Sequence, residues 1–105
     1  MIAHSLKGDV FGPAQKMHGA TYVVDAILKS ENLTSDGIVF DIGKAHVVLK
    51  EVLSPLNYNN LDVLPQFEGK VTTTEFLAKY IHDELKAKVK DEFSGKVEIV
   101  LGESH

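Results

Sequence analysis

The chain has 105 residues, a formal net charge of −4 and no cysteine. Its eleven cations are all lysine, so a nucleic-acid role, which calls for a basic stripe, and a bidentate arginine clamp on phosphate within one subunit are both excluded. Without cysteine there is no disulfide, thiolate metal site or cysteine nucleophile, and no apolar run approaches the roughly 18 residues that span a membrane.

Met1–Leu6 opens apolar and reads as the end of a strand, and Lys7–Lys16, with Gly8, Gly12 and Pro13, reads as a loop. Met17–Lys29 alternates: Ala20, Tyr22, Val24, Ala26 and Leu28 share one face, and Thr21, Val23, Asp25, Ile27 and Lys29 the other. Both faces carry apolar residues, so this strand is expected to be covered on both sides. Glu31–Gly37 is a turn and Ile38–Ile42 a short extended run. Ala45, Val48, Leu49 and Val52 fall at helical spacing within Lys44–Leu53, with Asp41 ahead as cap and Pro55 as stop. Leu56–Val71 reads as irregular.

A second helix follows, with Thr72 and Glu75 in capping-box spacing and Phe76, Leu77, Tyr80, Ile81 and Leu85 as its apolar stripe. The last strand, Lys96–Glu103, sets Val97, Ile99, Leu101, Glu103 and His105 on one face by period-two alternation. Strand, strand, helix, helix, strand is an α+β order with antiparallel pairing. One domain over 1–105 is expected, its terminal strands incomplete or covered by other subunits.

Five short segments in this order carry a resemblance. They are Ala3-His4; Met17-His18-Gly19-Ala20-Thr21-Tyr22; Gly37-Ile38-Val39-Phe40-Asp41-Ile42; Thr73-Thr74-Glu75; and Glu103 at the end of the last strand. Together they resemble the 6-pyruvoyltetrahydropterin synthase and 6-carboxytetrahydropterin synthase family. The resemblance implies a tunnelling fold (T-fold): an antiparallel sheet with two helices on one face, assembling into a barrel. It implies a homo-oligomer, trimers stacked into hexamers; the lack of cysteine fits a cytoplasmic location. It also implies a zinc-dependent lyase acting on a dihydroneopterin triphosphate-type pterin. Glu103, Thr73 and Thr74 would then hold the pterin, because a carboxylate accepts parallel N–H bonds from a guanidine-like edge. His4 and His18 would be metal ligands.

Where the family has a third zinc histidine this chain has Ala20, and a catalytic zinc needs about three protein donors. The family's cysteine loop is here Phe11-Gly12-Pro13-Ala14-Gln15-Lys16, and its aspartate-histidine pair is here Asn57-Tyr58. His105 is the substitute donor the sequence offers. Tyr58 and His105 are the remaining weak catalytic candidates, although a phenol with a pKa of about 10 is poorly matched to neutral pH. Two readings follow: a lyase with a rebuilt site, or an inactive module that binds a pterin or purine-like ring.

Overall fold

The computed structural model describes residues 1–104. Three strands form an antiparallel sheet in the order β1-β2-β3: β1 (Ile2–His4), β2 (His18–Lys29) and β3 (Lys96–Ser104). Two helices, α1 (Ile42–Leu53) and α2 (Thr74–Val89), lie between β2 and β3 in sequence.

β2 is rich in the β-branched and aromatic residues that suit a pleated surface. It pairs with β3 from Thr21↔Ser104 to Lys29↔Lys96. On its other edge β1 covers only Ile2↔Ala20 to His4↔His18. The inward face of β2 is the expected one, with Ala20 buried and Tyr22, Val24, Ala26 and Leu28 packed against the core. The opposite face is not covered: Val23 is 57% exposed and Ile27 38%. Both helices lie on one side, so the expected two-sided cover is missing within this chain.

In α2, Leu77, Ile81, Leu85 and Val89 recur every fourth residue and are all buried. Each such side chain contributes about 1.5–3 kcal/mol on leaving water. Val48 and Val52 bring α1 into the same core, which Leu56, Leu61, Phe67 and Phe93 complete.

Helix α1 begins at Ile42, two residues before the apolar spacing predicts, because the Asp41 side chain accepts from Lys44 N at 3.0 Å. Ile42 is 76% exposed and carries no periodic signal. The extended run expected over Ile38–Ile42 is replaced by a turn closed from Thr34 N to Ile38 O, with Gly37 at φ 78°. The cap of α2 is Thr73, not Thr72: Thr73 Oγ1 accepts from Phe76 N at 3.2 Å. Thr72 is buried and turned to another partner. The segments expected to be irregular hold short 3-10 turns at Asp9–Gln15, Leu61–Val63 and Pro65–Phe67.

Candidate functional site

The β1–β2 register sets His4 directly across from His18. Their rings meet edge to face, with centroids 4.6 Å apart. His18 Nδ1 lies 2.8 Å from Lys16 O. A carbonyl only accepts, so Nδ1 carries the proton and Nε2 keeps its lone pair. His4 is 2% exposed, and its Nδ1 meets Thr72 Oγ1 at 3.0 Å. Each ring is thus held through Nδ1, the arrangement that orients a metal-binding histidine.

β1 is short, and the chain after α1 pins it. Ala3 N donates to Asn59 O at 3.1 Å, and Tyr58 N donates to Met1 O. Ser5 N and Oγ donate to the two carboxylate oxygens of Asp62, at 3.1 and 2.5 Å. Tyr58 itself is 82% exposed and has φ 59°, a conformation that a non-glycine residue seldom adopts.

Burial holds the His4 pKa below the ordinary histidine value, and His18 beside it acts in the same direction. Asp62, Thr72 and Glu103 oppose the shift without reversing it. Because the folded state disfavours the proton, stability is full above about pH 6.5 and falls as the pH drops from there through the lowered folded value. Urea midpoints of wild type and His4→Gln across this range are expected to diverge. The wild type should lose stability on acidification, and the variant should lack that component. Parallel curves would show that His4 is not the group responsible.

A cavity of about 260 Å³ opens beside the histidine pair. His4 and His18 line it from the sheet, Thr73 and Thr74 from the start of α2, and Glu103 from the end of β3. The fold therefore brings these five predicted residues to one cavity. Tyr58 is not among its lining residues, and His105 lies outside the described residues.

Sequence reasoning gave no role at this site to Tyr22 and Glu75, which also line the cavity. Tyr22 pairs across the ladder with Glu103, and its hydroxyl lies 3.4 Å from Thr74 Oγ1. The available signal was the period of two, which sets Tyr22 on the same side of the strand as His18 and Ala20. Phe11 and Ala14 line the cavity from the loop where the resemblance puts a cysteine. Among the described residues two carboxylates and two imidazoles face the space, and no lysine lines it. This suits a flat ring with an N–H-rich edge better than a phosphate.

The donor set for zinc falls short. Ala20 is 5% exposed and carries no donor. Among the described residues no three His, Asp or Glu side chains form a group that would hold a metal.

An antiparallel sheet backed on one face by two helices, with a polar cavity where β1, β2, β3 and the start of α2 converge, defines a T-fold domain. A family model described as 6-pyruvoyl tetrahydropterin synthase matches residues 1–105, and the chain belongs to that family. The 6-pyruvoyl tetrahydrobiopterin synthase of Dictyostelium discoideum is 33% identical over 98 residues, which is 91% of this chain and 72% of that protein. The human protein of the same name is 34% identical over 71 residues, 66% of this chain, and the matched part spans 49% of the human protein. The structure of Caenorhabditis elegans 6-pyruvoyl tetrahydropterin synthase superposes with a TM-score of 0.76 at 25% identity, covering 99% of this chain and 89% of that one.

Proposed function

We propose that this chain is a 6-pyruvoyl tetrahydropterin synthase-like lyase acting on a dihydroneopterin triphosphate-type pterin. The observation that carries the reading is the convergence of His4, His18, Thr73, Thr74 and Glu103 on one cavity. In this reading Glu103 accepts from the amino-pyrimidinone edge, and the two threonines bind the ring from the start of α2. The triphosphate extends away from the cavity, since among the described residues no lysine lines it.

His4 and His18 would hold a zinc through their Nε2 atoms, and a third donor is needed. His105, two residues beyond Glu103 in sequence, is the proposed one. When bound, zinc supplies Lewis-acid polarisation of substrate oxygens. The chain's own residues orient the ring: Glu103 at its amino-pyrimidinone edge, and Thr73 and Thr74 from the start of α2. Assembly into trimers stacked as hexamers, with sites between subunits, and a cytoplasmic location go with the reading.

The test is release of inorganic triphosphate from 7,8-dihydroneopterin triphosphate, measured alongside zinc per subunit. Slow release together with about one zinc, both lost in His18→Ala, is the expected result. Ring binding without release or metal would reduce the protein to a binding module. Absence of both binding and release would end the pterin reading.

A further inference from the structure

One long edge of the sheet is open. β1 pairs with β2 only from Ile2↔Ala20 to His4↔His18, so among the described residues no strand lies on that edge of β2 from Thr21 to Lys29. An unpaired ladder of this kind is a template for another chain. Two largely apolar cavities lie beside it. The first, about 270 Å³, has Ile2, Tyr22, Val24 and Leu53 among its walls. The second, about 220 Å³, is walled by Ala26 and Leu28 of β2 and by Ile42, Ala45 and Leu49 of α1. Their places follow the register of β1. Side chains on one face of a strand recur every second residue, and Ile2, opposite Ala20, is inward and buried. A strand continuing the line of β1 would set its next inward side chains opposite Tyr22 and Val24, beside the first cavity. The following two would fall opposite Ala26 and Leu28, beside the second. Helix α1 carries a matching signal. Val48 and Val52 are buried in the core, whereas Ala45, Leu49 and Leu53 are only half-buried and Ile42 is 76% exposed. These four form a second apolar stripe at helical spacing, left partly uncovered.

We propose that the open edge of β2 is a docking site for an extended segment of a separate protein, one in which apolar and polar side chains alternate. The segment adds a strand to the sheet. Its backbone bonds to β2, and its apolar side chains enter the two cavities over α1. Its polar side chains face solvent, because both helices lie on the other face of the sheet; lysines there suit a chain of net charge −4. A second copy of this chain does not supply such a segment. The inward side chains of β2 and β3 pack in their own core, and β1 is only three residues long. Among the described residues, no strand of another copy therefore has inward side chains left free to fill these cavities. The proposal uses none of Thr73, Thr74 and Glu103, and it stands whether or not a pterin binds.

The experiment measures, by fluorescence anisotropy, the binding of a labelled, end-blocked peptide of about nine residues in which leucine and lysine alternate. A peptide of the same composition with its leucines clustered is the control. The alternating peptide is expected to bind saturably and about tenfold or more tighter than the control. Methylating alternate backbone nitrogens gives two further peptides. One should lose binding and the other keep it, because only one edge of the added strand bonds to β2. Ile42→Asp changes an exposed position and leaves the core intact, and it should weaken binding about tenfold through the second cavity. Equal binding of the alternating and clustered peptides, or of both methylated ones, would mean that no strand is added and would overturn the proposal. So would an affinity unmoved by Ile42→Asp, or no binding up to about 1 mM peptide. If the peptide binds only after dilution has dissociated an assembly of this chain, the edge belongs to a second copy, and the proposal is again overturned.

Discussion

Glu103→Ala is expected to weaken pterin binding by roughly 30- to 1000-fold, about 2–4 kcal/mol, in a titration followed by ring fluorescence. Two parallel N–H bonds to a carboxylate are charge-assisted, and each contributes about 1.5–3 kcal/mol. The sum is discounted because Glu103 is exposed in the free chain and must give up water to bind. Glu103→Gln retains one acceptor oxygen but replaces the other with a donor that faces the ring's own donors. Its loss should therefore approach that of alanine. Glu103 sits near the end of β3 on exposed backbone, so neither change should alter the circular dichroism or the unfolding midpoint. Binding that survives Glu103→Ala would mean that the ring is anchored elsewhere in the cavity.

Leu61→Ala is expected to lower the unfolding free energy by about 3–4 kcal/mol, with an unchanged denaturant slope. Leu61 is 0% exposed, and its removal takes away its full transfer free energy. It also lines an apolar cavity of about 270 Å³ between the sheet and the helices, so the space left behind joins an existing void instead of collapsing. A domain of this size holds only about 5–15 kcal/mol in total. The consequence reaches the site, because the neighbouring Asn59, Asn60 and Asp62 hold β1 in place. His4 should therefore be among the first groups to loosen, visible as lost protection of the β1 amides. A change below about 1 kcal/mol would mean that the surrounding side chains repack into the gap.

How much of this was legible in the sequence depends on which physical signal each element carries. β2 and α2 announce themselves as elements, because a long extended run without a breaker over Ala20–Leu28 and a fourfold spacing from Leu77 to Leu85 tell strand from helix. Periodicity alone starts α1 too late because Ile42 is exposed, whereas Asp41, expected as its cap, does mark the start. The cap of α2 slipped by one residue for a related reason. Three consecutive threonines offer equivalent hydroxyls, and only the tertiary contact with His4 commits Thr72 to another task. The outward face of β2 misled in a different way, since apolar residues there record a demand for cover that this chain does not itself meet.

The ring-binding residues were legible only through the order of short motifs. Glu103 and Thr73 are separated by the whole of α2 and most of β3, and no local pattern links them. Tyr22 received no role at the site because an aromatic residue on the inward face of a strand reads as core. It does pack against the core, but the same ring also faces the polar cavity.

The two edges of β2 differ in a way that amide hydrogen exchange would register. From Thr21 to Lys29 the strand is bonded to β3 along one edge, whereas β1 stops at Ala20 on the other. Successive N–H groups of a strand point to opposite edges. In an isolated subunit the exchange rates along β2 should therefore alternate, with every second amide slow and those between them fast. Protection of the fast set on raising the protein concentration would report directly, residue by residue, that another strand has come to lie along that edge.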